Sequence, residues 1–410
     1  MWNNPTSPNS CPEDATPVDR IVQPCACAFD VTIKLIDHRD RKRLTPLRVP
    51  DYEELASGTS KNQDYVDFEI EVKENQVDKL EIIIAVENAP GRRRIFFDDL
   101  KRERAVGIHH WRWDGYSTAG VLDTKVLKDP DLRLELRAEL CGETKTEILA
   151  FDNQTDAEDW VDVIINRNNK TVAVELRTNI KDGGEKGVGD APPSEIWANP
   201  NAKMIPPGDA RRRPHIRARS FGDLKNLVLS GLEKYWSRNV SRGYSIATPA
   251  GAYTVDVKAV SATDKAMDDI SVKYNTNAEW GRSSNPGSVR GILSLGANTV
   301  PERIIYNTGW IKYADGWFYS PPADVDAEFQ ETAAHEIGHE ILSAYGGELY
   351  SYRHKGSSTL ITQKTLDPSS GGITYPSTGE IDLMKYLSGN RPWDYRQRLV
   401  ASEADVKSLV

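Results

Sequence analysis

The run Glu331-Thr-Ala-Ala-His335-Glu336-Ile337-Gly338-His339-Glu340 carries two histidines four residues apart, with a glutamate beside the first. On a helix each residue advances by about 100°, so His335 and His339 leave one face a single turn apart, about 40° from each other. Two imidazoles so placed suit a borderline-soft divalent ion, zinc above all. Glu336 lies about 100° round from His335, beside the metal rather than on it. From there a general base can take a proton from water activated by zinc.

The flanking residues favour that helix. Pro321-Pro322 precede it, Asp324 offers a cap, and Gly346-Gly347 ends it. Phe329, Ala333, Ile337, Ile341 and Ala344 gather on the opposite side, which makes one face core and leaves the other to the chemistry.

A catalytic zinc ion takes three protein ligands and keeps one open position. Downstream candidates for the third are Glu348, His354, Glu380 and Asp382. Glu348 follows the helix so closely that the chain would have to turn back sharply. His354 is either a ligand or an oxyanion donor. Glu380 lies in Ser377-Thr-Gly-Glu-Ile-Asp-Leu-Met-Lys-Tyr, which reads as the start of a second short helix. It either closes a Ser377-x-x-Glu380 capping box or supplies the carboxylate that the site still lacks. Glu380 is the expected third ligand, and Asp382 is expected to orient a ligand histidine. His354, Tyr375 and Tyr386 are the candidate donors to a developing oxyanion.

The elements that must position these residues are legible in outline. A length of 410 residues allows two or three domains. With 52 basic and 61 acidic residues the net charge is −9, which argues against nucleic-acid binding and against attraction to an anionic membrane. No run approaches the roughly 18 apolar residues of a membrane span. The opening Met-Trp-Asn-Asn-Pro-Thr-Ser-Pro has neither a basic start nor an apolar run, so any export is expected to bypass a signal peptide.

Residues 1–27, rich in Pro, Asn, Ser and Asp, read as a leader. In residues 28–150, Val66, Phe68, Ile70 and Val72 alternate with charged residues, as do Leu132, Leu134, Leu136 and Ala138. That period of two predicts an antiparallel β-sandwich. His109 and His110, adjacent on a strand, point to opposite faces and read as structural. Residues 151–219 read as a connecting region: two strand-like pieces, then a Gly- and Pro-rich stretch. Its Arg211, Arg212, Arg213, Arg217 and Arg219 make either a solvated loop or a dock for an acidic partner. Residues 220–410 read as a compact α+β domain. Its first helix is capped by Ser220 with Asp223 three residues on. The cysteines Cys11, Cys25, Cys27 and Cys141 have poor spacing for a zinc site. They are either thiols or a disulfide that ties the tail to the first domain.

Two resemblances add to this reading. Trp111-Arg-Trp-Asp-Gly-Tyr, with Gly120 and the strand after it, resembles immunoglobulin-like modules of secreted proteins. The His-Glu-x-x-His motif with the later Gly379-Glu380-Ile-Asp382 segment resembles gluzincin-type zincin metallopeptidases. More narrowly, residues 220–390 resemble the metallopeptidase toxin domain at the C-terminus of some type VI secretion spike (VgrG) proteins. The segments Gly346-Gly347, His354-Lys-Gly-Ser357 and Thr378–Tyr386 carry that likeness. It implies a zincin-like fold, zinc held by His335, His339 and Glu380, and Glu336 as base. It further implies an antibacterial effector that hydrolyses a peptide bond in the periplasm of a target cell. Its partners would be a protein or peptide substrate, a cognate immunity protein, and a secretion spike or tube component reached through residues 28–150. By the same analogy, the strand near residues 304–313 would pair with an extended substrate. The alternatives are an intracellular housekeeping metalloprotease and a non-catalytic adaptor that retains the fold.

Overall fold

A computed structural model describes residues 27–36, 44, 65–87, 93–151, 158–186, 218–276, 280–284, 302–313, 316–359 and 363–409. The expected leader up to residue 26, Cys11, Cys25 and the arginines at 211–213 and 217 lie outside the described residues. The chain divides into two compact units. The first comprises residues 1–48, 60–156 and 164–169; the second comprises 49–59, 157–163 and 170–410. No helix among the described residues is long and apolar enough to cross a membrane.

The first unit holds two antiparallel sheets. One has the order β1 (Asp30–Leu35), β2 (Val66–Lys73), β5 (Gly107–Trp113). The other has the order β4 (Arg93–Asp99), β3 (Lys79–Val86), β7 (Leu132–Leu140), β8 (Glu143–Ala150). The short β6 (Val121–Asp123) pairs with residues 164–166 of β9 (Val161–Asn166). The alternating apolar residues all turn inward: Val66, Phe68, Ile70, Val72, Leu132, Leu134, Leu136 and Ala138 are buried. Phe68, Trp111, Trp113, Phe96 and Phe151 form a ring cluster that draws side chains from both sheets. Cys27 and Cys141 are joined by a disulfide.

The second unit is built on a sheet of order β11 (Ile246–Thr248), β12 (Gly251–Ser261), β10 (Thr171–Lys186), β13 (Asp269–Thr276), β14 (Arg303–Tyr313), β15 (Gly316–Ser320). Its four central strands are parallel, and β11 and β15 run antiparallel at the two edges. This corrects two expectations. The strand beginning at Thr171 is not part of a connector but runs 16 residues through the middle of the sheet. Nor is β14 open to a substrate strand. It is flanked by β13 and β15, and Ser284 bridges to Arg303 along it.

Two helices frame the site. In α1 (Phe221–Trp236), Ser220 and Asp223 close the expected capping box. In α2 (Pro322–Gly346), the N-cap is Pro321 and no side chain caps it; Asp324 instead sits in the first turn, where its charge complements the helix dipole. Gly347 ends α2 at φ 83°. The helices meet closely at Gly231, where a Cβ would lie 2.4 Å from the Gln330 carbonyl oxygen. Trp236 Nε1 donates to the Ala334 carbonyl, one residue before His335. Because backbone cannot move aside as a flexible side chain can, Gly231→Ala is expected to cost about 1–3 kcal/mol by overpacking. A lower urea midpoint at unchanged slope would show it.

Candidate metal centre

Helix α2 buries groups that a core helix avoids. Glu331, Glu336 and His339 are all buried, and His335 is half-buried. A third histidine joins the pair. After α2 comes a five-residue helix, α3 (Glu348–Tyr352), then a turn in which His354, Lys355 and Gly356 all have positive φ (49°, 58° and 82°). The turn carries the His354 ring back onto α2. His335, His339 and His354 each offer one nitrogen, and these lie within 4.8 Å of one another.

The hydrogen bonds fix which nitrogen that is. His335 Nδ1 lies 2.8 Å from the Leu383 carbonyl, which can only accept, so Nδ1 carries the proton. His335 Nε2 is then a bare lone pair, buried and without a hydrogen-bond partner among the described residues. Ser351 Oγ donates to the His339 carbonyl at 2.6 Å and so accepts from His339 Nδ1 at 3.1 Å. His354 Nδ1 is 3.0 Å from Ser358 Oγ. With Nδ1 engaged on every ring, Nε2 is the nitrogen that each could offer to a metal ion. Burial holds all three imidazoles below the ordinary histidine range, and the neighbouring histidines lower His339 and His354 further. Three neutral imidazoles around an orphaned buried lone pair fit a metal ion.

Glu380 is not in this group, which corrects its expected role as a ligand. Its carboxylate accepts from Arg238 Nη2 at 2.7 Å, and it stands in no second helix. The segment after it instead forms a two-residue parallel bridge, Ile381–Asp382 with Leu399–Val400. That bridge presents the Leu383 carbonyl to His335. Asp382 therefore orients no ligand histidine directly; it accepts from Lys355 Nζ at 2.7 Å and from the Met384 amide at 3.0 Å. Glu348 lines a different cleft.

His335 lines a cleft of about 350 Å³, whose wall also includes Glu336, Tyr386, Tyr375 and Arg282; the His339 and His354 rings lie against His335, with centroids 4.9 and 5.2 Å away. The Tyr386 ring stacks on His354 with centroids 3.7 Å apart. Burial and the nearby Glu336 charge push its phenol up, so it stays protonated and can donate. Tyr375 lines the same cleft. Its ring packs edge-on against Tyr395, whose hydroxyl donates to buried Glu331.

Sequence reasoning assigns no role to Ser351, Ser358, Lys355 or Arg282. For the first three the signal is the polar run around a glycine after a short helix, Ser351-Tyr-Arg-His-Lys-Gly-Ser-Ser. Each of its later residues holds the turn. Ser357 Oγ donates to the His354 carbonyl and accepts from the Tyr386 amide. Lys355 Nζ donates to Asp382, to Ser402 and to both oxygens of Asp405, and Asp405 is fully buried. Burial alone would lower the Lys355 ammonium, but the charges of Asp405 and Asp382 outweigh it and raise its pKa. Lys355→Met would leave a buried carboxylate uncompensated, at an expected cost of about 3–5 kcal/mol in chemical denaturation. Metal affinity is expected to fall with it, because the lysine anchors the turn that carries His354.

The second cleft is lined by Glu158, Asp268, Glu302, Glu340 and Glu348. Burial, with the charges of Asp268, Glu302 and Glu158, pushes Glu340 up to about 8 against the lowering effect of a hydrogen bond from the Asp268 amide. The folded state therefore holds a proton there that the unfolded state has lost. Glu340→Gln is expected to stabilise the protein by an amount that is absent below about pH 4.5 and grows up to about pH 8. Thermal melts across that range would show it.

Comparison of the chain with protein families, with curated proteins and with solved structures finds no match.

Proposed function

We propose that this chain is a zinc-dependent peptidase in which His335, His339 and His354 hold the metal and Glu336 is the general base. One juxtaposition carries the reading: three imidazoles offer nitrogens within 4.8 Å of one another, and one of them, His335, lines a cleft together with the buried Glu336. Three histidines with an open position are a catalytic rather than a structural zinc set. Zinc there would supply Lewis acidity, polarising the scissile carbonyl and acidifying water.

The chain's own residues do the rest. Glu336 takes a proton from the attacking water and returns it to the leaving amine. Tyr386, protonated and stacked on His354, donates to the carbonyl oxygen as negative charge develops. Tyr386 is preferred to Tyr375 for that role because its ring lies against His335 and His354, whereas the Tyr375 ring packs on Tyr395. His354 serves as a ligand, not as the oxyanion donor.

The Cys27–Cys141 disulfide favours work outside a reducing cytosol, in keeping with an effector that acts in the periplasm of a target cell. Expressing the chain in a bacterium with and without an added signal peptide, each beside Glu336→Ala, tests this. Killing only from the periplasm, lost in Glu336→Ala, is expected. Killing that persists in Glu336→Ala would remove the peptidase from the account. Killing from the cytoplasm alone would contradict the compartment.

A further inference from the structure

Arg282 is held beside the cleft by its backbone neighbours. The segment Gly281–Ser284 is strapped along β14. The Ile305 amide donates to Ser283 Oγ at 3.0 Å, Asn307 Nδ2 donates to the Gly281 carbonyl at 2.8 Å, and Ser284 bridges Arg303. The segment packs closely there: a Cβ on Gly281 would lie 2.7 Å from the end of the Ile305 side chain. These bonds fix the backbone on both sides of Arg282 and aim its side chain into the cleft shared with His335, Glu336 and Tyr386.

The guanidinium itself is exposed. Its closest polar contacts are two long ones, both 3.4 Å, to Tyr386 Oη and to Gln363 Oε1. Among the described residues Arg282 makes no ion pair. The other cleft arginine differs, since Arg391 lies 3.5 Å from Glu331. A guanidinium presents a planar fork of donors that matches a carboxylate, and an arginine lacking one beside a reaction centre is built to receive it from outside.

We propose that Arg282 is a specificity residue that clamps a carboxylate of the substrate close to the scissile bond. This rests on the peptidase reading above. A peptide offers that group from two sources, an Asp or Glu side chain or a free C-terminus. Through its contact with Tyr386 Oη, Arg282 would seat the carboxylate next to the phenol that faces the carbonyl. Binding of the anion would thereby position the bond to be cut.

The test uses the zinc-loaded full chain and a peptide mixture from a bacterial proteome, with cut sites read by mass spectrometry. The best-cut sequence is then made in paired forms: Asp against Asn beside the bond, and free acid against C-terminal amide. Expected is a preference in kcat/KM for the carboxylate form of at least about tenfold, the scale of one charge-assisted hydrogen bond. Which pair shows it identifies the source. In Arg282→Gln the preference is expected to collapse to less than about threefold, and Arg282→Lys to restore part of it. No preference in the wild type, or an undiminished one in Arg282→Gln, overturns the proposal. Failure of the peptidase reading shows separately, as no cleavage of any peptide. In that case anisotropy of a labelled acidic peptide on zinc-loaded Glu336→Gln still decides: binding weakened by Arg282→Gln upholds the clamp, and unaltered or absent binding removes it.

Discussion

Replacing His354 with alanine is expected to strip the protein of its metal, while Glu380→Ala keeps it. His354 contributes one of three nitrogens gathered within 4.8 Å, whereas the Glu380 carboxylate is bound to Arg238. Disturbing the partners that merely orient a ligand costs about 10–100-fold in metal affinity, and losing one ligand of three should exceed that. Metal analysis after dialysis against a competing chelator distinguishes the two variants. Retention of one equivalent in His354→Ala, with loss in Glu380→Ala, would return the third-ligand role to the carboxylate. Glu380→Ala has its own expected effect. It leaves Arg238, whose side chain is only 4% exposed, with backbone carbonyls as its remaining acceptors, so stability falls while metal binding persists.

The second large effect is expected at Glu336. Glu336→Gln preserves size and hydrogen-bonding capacity but cannot accept a proton. General-base catalysis contributes about 10²–10⁴-fold, so hydrolysis should fall by that factor or more. Zinc content should remain at one equivalent, since Glu336 is not in the three-histidine group that could hold the metal. The two measurements together separate base from ligand. Activity and metal lost together would make Glu336 part of the coordination sphere. Activity retained would mean that another group moves the proton, and Tyr386 would be examined first.

What could be read in the sequence was whatever depends on one helix. The spacing of His335 and His339, the place of Glu336 and the stop at Gly347 all follow from 3.6 residues per turn, and the Ser220–Asp223 box from local hydrogen bonding. What could not be read depends on chain reversals and distant partners. No periodicity reports that His354 and Lys355 adopt left-handed backbone, yet that turn brings the third histidine to the other two. Glu380 looked available because Arg238 lies 142 residues earlier. Asp382 looked like an orienter of histidine because its partner, Lys355, is likewise remote. The parallel pairing of β10 with β12 and β13 joins segments about 80–90 residues apart, beyond the reach of an alternation pattern. The first unit was more legible, since half-buried antiparallel strands write their burial directly into alternate residues.

X-ray absorption at the zinc edge, on the full chain loaded with one equivalent of zinc, tests the proposed three-histidine metal centre built by α2 and the turn after α3. The expected spectrum fits three imidazole nitrogens at about 2.0–2.1 Å, with the same fit for Glu380→Ala. A sphere of two imidazoles with a protein carboxylate, or a chain that holds no zinc, would contradict it.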